Sequence, residues 1–277
     1  MNKPMWIRGK GALHALAGLI LTCWLGGSYG ARALLPSEHA SALPAKDLRR
    51  HAGIPPESRT QREAGLARMQ RALPGVQVSY DSVVGSARFV RRTTGFLTQP
   101  PAGGPGPTAA ALPAVDPETV VRGFLREHAD AVGHGDGVLD QARRVRDTVS
   151  HHSGLRTVIW QQELAGIPIF EADLIANLTA RGELVTLSSR MLAEPVAAAA
   201  AGSQNWALLP GQPPVRQSDA LVRAAADVGV SLSVGEVTET GQVTEGGYRR
   251  YRVQGRIALA RAVWFPMDGQ TLRLAWE

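Results

Sequence analysis

The residues of this chain that could carry acid–base, nucleophilic or metal chemistry are spaced in ways that favour none of the three. His128 and His134 lie six apart across a helix end and so do not share a helix face. Asp130 and His134 are four apart, but Gly133 interrupts the helix between them. His151 and His152 are adjacent before a strand, where alternate side chains point to opposite faces. No H-E-x-x-H occurs, so the chain is expected to hold no metal and no other cofactor, and to be no enzyme by itself. A G-x-S-x-G match, Gly26-Gly27-Ser28-Tyr29-Gly30, lacks the preceding strand and following helix of a nucleophile elbow. The carboxylate pairs Glu236/Glu239 and Asp136/Asp140 read as solvated charge. Asn177-Leu178-Thr179 fits a glycosylation acceptor but falls inside a strand pattern.

Charge excludes a further class. Three of the 30 basic residues are lysines, Lys3, Lys10 and Lys46, and the rest are arginine. Half of the formal net charge of +6 sits on Lys3, Arg8 and Lys10. The runs Arg143-Arg144-Val145-Arg146 and Arg249-Arg250-Tyr251-Arg252 are short, and only 5% of residues are aromatic. No nucleic-acid partner is expected, because neither a sustained basic surface nor a set of stacking rings is evident.

The elements that must position these residues begin after a leader. Residues 1–33 read as a signal peptide: a basic start, an apolar run from Ala12 to Leu25 too short to span a bilayer, then Ala31-Arg32-Ala33. Cys23, the single cysteine, lies in that run. The mature protein is therefore expected to be secreted, extracellular or periplasmic, with no disulfide and no stable membrane anchor. Residues 34–60 read as a flexible arm. A helix is expected over 61–73, closed by Pro74-Gly75, then strands at 76–80 and 87–90. The Pro/Gly loop at 100–115 lacks the Gly-Lys-Ser ending of a phosphate loop. Asp116, Pro117 and Glu118 open the next helix, with Val121, Phe124, Leu125 and His128 on one face. Strands follow at 155–164, 169–178 and 184–191, with Gly166-Ile167-Pro168 as the first turn. An Ala/Pro linker at 196–215 leads to a helix at 218–228 and strands at 248–254, 257–265 and 271–276. The fold class is α+β: two helix-plus-antiparallel-meander modules, 61–195 and 216–277, because strands follow each helix in a group without β-α-β alternation. Trp160, Phe170, Trp264 and Phe265 fall at strand positions and are expected in the core.

Residues 156–174, Arg-Thr-Val-Ile-Trp-Gln-Gln-Glu-Leu-Ala-Gly-Ile-Pro-Ile-Phe-Glu-Ala-Asp-Leu, resemble the signature of the fungalysin/thermolysin propeptide module. Trp160, Gln161, Gln162, Gly166, Ile167, Pro168 and Phe170 carry the match. The return strand from Ala180 to Ser189 and the opening from Val78 to Arg88 are similar to the same family, and residues 262–277 resemble the last hairpin of a PepSY-like module. The resemblance covers residues 61–277. It implies the propeptide region of a secreted fungalysin-like zinc metallopeptidase, acting as intramolecular chaperone and inhibitor of its cognate catalytic domain. That domain, with its zinc, is absent from this chain, so no catalytic residue carries over; the signature residues have structural roles and the partner-contact residues are unknown. The alternative is a free-standing exported peptidase inhibitor or envelope binding protein built from the same modules. The alternating strand Thr271–Trp276 stops one residue before the end, and the second module is expected to be truncated.

Overall fold

The computed structural model describes residue 49 and residues 56–99 and 116–277, with side chains from 58 onward in the first helix. The stretch read as a leader, most of the stretch read as an arm and the Pro/Gly-rich residues 100–115 lie outside the described residues. Helix α1 (Pro56–Ala72) leads to β1 (Val76–Tyr80) and β2 (Ala87–Arg92). Then come α2 (Pro117–Glu127), the single turn α3 (Ala129–Val132) and a 3-10 segment (Asp136–Gln141). Strands β3 (Ala142–Val149), β4 (Arg156–Leu164), β5 (Ile167–Leu178) and β6 (Leu184–Ser189) follow. The remainder is α4 (Pro195–Gly202), α5 (Gln217–Asp227), β7 (Val237–Val243), β8 (Arg249–Val253), β9 (Arg256–Ala260), β10 (Ala262–Asp268) and β11 (Thr271–Trp276). The class is α+β.

Local sequence accounts for the framework. Pro117 starts α2 with its fixed φ, and Val121, Phe124 and Leu125 recur at helical spacing to form its buried stripe. Gly133 closes α3 at φ 94°, a left-handed position that glycine takes without a Cβ clash. In β4, Val158, Trp160, Gln162 and Leu164 alternate inward. Strand β5 is the hub: it pairs antiparallel with β4 and β6, and in parallel with β10 at Ile169 opposite Trp264. Beyond β6 lie β2 and β1, while β3 flanks β4, which gives eight strands with β10 and β11. Helices α1–α3 cover one face, burying Met69, Phe124 and Leu125 against Trp160, Leu174 and Leu187. Each fully buried side chain of this size contributes about 1.5–3 kcal/mol. A second core forms where Trp264 and Leu272 meet Leu164, Ile169, Leu192, Ala198 and Ala199.

Several expectations change. Helix α1 begins at Pro56, inside the stretch read as arm. The hairpin turn is Ala165-Gly166, and Ile167 and Pro168 already pair in β5. The run 257–265 divides at Arg261, whose backbone pairs with Glu277; β9 stays with β7 and β8, and β10 leaves for the large sheet. The second set of strands is therefore not one meander, because Trp264 is worth more buried against Leu164 and Ile169 than left on a small sheet. Part of the linker is also a packed element: α4 buries Ala198 and Ala199, and Trp206 packs edge-on to Trp264 at 6.2 Å. The described residues belong to one compact unit, Lys46–Glu277.

Candidate functional site

The signature residues gather at a bulge. Gln161 pairs with Asp173 and Glu163 with Pro168, so four residues of β5, 169–172, lie opposite the single residue Gln162. A bulge removes ladder partners from the main chain, and the two glutamines supply substitutes. Gln161 Nε2 donates to the Ile169 carbonyl at 2.9 Å. Gln162, fully buried, donates to the Leu192 carbonyl and accepts from the Leu192 amide, both at 2.9 Å. Ile169 pairs with Trp264 instead, whose Nε1 donates to the Leu164 carbonyl at 3.1 Å. Trp160 is buried, Gly166 holds the turn at φ 74°, Pro168 is half-buried, and Phe170 lies 5.3 Å from Phe265, ring to ring.

The bulge also shapes the open face of the sheet. Glu171 adopts φ 55°, a left-handed conformation that a side chain disfavours, especially within a strand. It stands at the rim of a groove of about 580 Å³ lined by Ser79, Arg88, Phe89, Asp173, Ile175, Ser188 and Arg190. Arg190 donates to Glu171 at 2.9 Å and reaches Asp81 at 3.2 Å, and Arg49 meets Glu171 at 3.3 Å. Burial pushes the Asp173 carboxyl above its usual range, and the nearby Arg190 and Arg261 charges only partly offset that. Phe89 is 40% exposed beside these groups. Alternation explains the lining: Val90, Leu174, Ala176 and Leu187 face the helices, so Phe89, Asp173, Ile175 and Ser188 face outward. The groove thus offers hydrogen-bond donors, charged and neutral acceptors, and the apolar side chains of Phe89 and Ile175. Sequence reading did not find it, because β2, β5 and β6 meet only through the strand order.

A serine–histidine pair lies elsewhere. His134 Nδ1 donates to the Gly135 carbonyl at 3.1 Å, leaving Nε2 to accept from Ser189 Oγ at 2.7 Å. Both side chains are buried, and desolvation lowers the imidazole pKa to about 4. A nucleophile must meet its substrate, and this one faces the core, so the pair pins the α3 exit to β6. Of the other histidines weighed for metal binding, His128 packs edge-on to Phe124 at 4.7 Å, and His151 and His152 are exposed in the turn after β3. The paired carboxylates are engaged separately: Asp136 with Arg126, Asp140 with Arg122, Glu239 with Arg249, and Glu236 with Ser233. Asn177 joins a ladder, accepting from Thr157 at 2.7 Å and donating to Thr186 at 2.8 Å. Among the described residues no three His, Cys, Asp or Glu side chains cluster as a metal site would require, and no helix is long and apolar enough to cross a membrane. Compared with known proteins, the chain matches no family model and no curated sequence.

Proposed function

We propose that this chain is an exported binding module, the propeptide region of a fungalysin-like zinc metallopeptidase, which assists folding of the catalytic domain and inhibits it by docking through the open sheet face. The observation that supports the reading is the groove rimmed by Glu171: an exposed ring, Phe89, stands among Arg88, Asp173 and Arg190 on a rigid sheet, beside a residue held in a strained conformation. Strain retained in a sheet accompanies sites where function requires a fixed geometry. Exposed aromatic and arginine side chains on a rigid support are the groups that dominate protein–protein binding. An inhibitor needs only such a complementary surface and no reactive group.

The test supplies the full chain in trans to the catalytic domain of a fungalysin-type peptidase during refolding, then assays the folded enzyme with increasing amounts of the chain. Recovery of activity should rise with the chain present during refolding, and the folded enzyme should then be inhibited. Phe89→Glu, on an exposed position, should weaken inhibition at least tenfold without changing the chain's own unfolding midpoint. A wild-type chain that neither aids refolding nor inhibits would refute the reading.

A further inference from the structure

A second surface lies on the three-stranded sheet of β7, β8 and β9. Strand β9 pairs only with β8, so its other edge presents unpaired main-chain groups among the described residues. The register places Arg252 opposite Ile257 and Arg250 opposite Leu259 on one face, while Tyr251 turns to the other, where its hydroxyl donates to Gln217 Oε1 of α5 at 2.6 Å. The face away from α5 therefore carries Ile257 and Leu259, 59% and 46% exposed, next to two arginines. Arg250 is held by Gln242 at 3.2 Å. Neither Arg252 nor Arg256, at the start of the open edge, has an ion pair among the described residues, and both are exposed. Glu239, the acid of β7, is committed to Arg249.

An edge strand left open is ordinarily protected by inward charges, a proline or a bulge. From Arg256 to Ala260 there is neither proline nor bulge, and the two large side chains on the exposed face are apolar. We propose that the free edge of β9 accepts an extended polypeptide segment in which apolar and acidic residues alternate, adding it as a fourth strand. Main-chain hydrogen bonds to β9 hold the segment. Its apolar side chains cover Ile257 and Leu259, and its carboxylates, which alternation sends to the opposite face, neutralise Arg256 across the new ladder. Strand addition of this kind takes affinity from the backbone and selectivity from side chains on alternate positions. Charge complementarity singles out an acidic segment: on the face of Arg256 the acid of β7, Glu239, is already committed to Arg249, Arg256 has no ion pair among the described residues, and a second copy of this edge would bring more arginine. The site is separate from the groove and does not depend on the role assigned to it.

The probe is a short synthetic peptide of alternating valine and glutamate, with a valine–lysine peptide of equal length as its counterpart, titrated into the full chain at low salt. The glutamate peptide should bind at least tenfold more tightly than the lysine peptide, and its affinity should fall as salt rises. Leu259→Lys should abolish binding with an unchanged unfolding midpoint, whereas Val243→Lys, on β7, should leave it intact. Equal binding of the two peptides, no binding of either, or loss of binding in the Val243→Lys variant alone would overturn the proposal. So would sedimentation of the free chain as a dimer that Leu259→Lys dissociates, which would make a second copy the occupant.

Discussion

Gln162 and Leu192 exchange two hydrogen bonds, side-chain amide to main-chain carbonyl and main-chain amide to side-chain carbonyl, each 2.9 Å long. One buried side chain thereby stands in for a strand neighbour. It joins β4 to the segment after β6, beside the bulge that frees Ile169 to pair with β10. The bulge, the second core, to which Leu192 itself belongs, and the strained rim of the groove all lie beside this exchange.

Gln162→Leu keeps the approximate volume and removes both partners. Two main-chain groups would be left unsatisfied in a buried setting, each costing about 1–3 kcal/mol. A loss of roughly 2–6 kcal/mol in unfolding free energy is expected from urea titration. A loss below about 0.5 kcal/mol would mean that water enters and replaces the side chain.

The Ala165-Gly166 turn gives a test of opposite sign. Both residues have positive φ, 52° and 74°, as a two-residue hairpin turn of this hand requires. Nothing lies near Gly166, so Gly166→Val acts through backbone strain alone and should destabilise by about 1–2 kcal/mol. Ala165 carries the same strain already. Ala165→Asn should therefore raise the unfolding midpoint, by about 0.5 kcal/mol or more in free energy, because asparagine tolerates the left-handed region. A lower midpoint for Ala165→Asn would contradict this account of the turn.

What could be read from the sequence follows from burial. Strands with one buried face, such as Val76–Tyr80 and Thr271–Trp276, show the period of two and fall where alternation places them. Strands β3 and β7 escape notice because β3 is exposed almost throughout and β7 nearly so, which removes the apolar period. Helix α4 is hidden by composition: its alanines carry no period, and only docking on β11 selects Ala198 and Ala199 for burial. The run from Ile257 to Phe265 is apolar apart from Arg261 and carries no turn residue, so the change of sheet is a tertiary choice made by Trp264 and by the Arg261–Glu277 pair. The signature glutamines were visible as residues, but the bulge they serve was not. The groove combines side chains from four separate strands and the segment after β6, and no local pattern announces it.

Helix α4 reaches β11 through Gly202. A Cβ built at that residue would overlap the Leu272 carbonyl oxygen, a main-chain atom that cannot rotate aside. Gly202→Ala should therefore lift the end of α4 from the sheet and open the second core around Trp264. Although alanine favours helix by about 1 kcal/mol over glycine, the clash should dominate, and a net loss of stability is expected together with a red-shifted tryptophan emission. An equal or higher melting temperature with unchanged emission would show that α4 does not press on β11.

The buried His134–Ser189 bond sets a pH dependence whose sign is fixed by geometry. Nδ1 already donates to Gly135, so Nε2 must accept from Ser189, and only the neutral ring can do so. The folded-state pKa of about 4 lies below the unfolded value near 6.5. The unfolded chain therefore binds the proton first as pH falls, and the native state loses stability from about pH 6.5 down to about pH 4. The full difference corresponds to roughly 3 kcal/mol. His128, whose pKa burial also lowers, adds a loss of the same sign. The carboxylates Asp116 and Asp147 have depressed values as well, but they withdraw stability only below their unfolded range near 4, in a separate window. His134→Gln removes the titrating ring while keeping an acceptor for the serine hydroxyl. Urea midpoints measured at pH 7 and pH 4.5 should differ strongly for the wild type and much less for this variant. Parallel losses in both proteins would transfer the effect to other groups and leave His134 as a pin without a pH response.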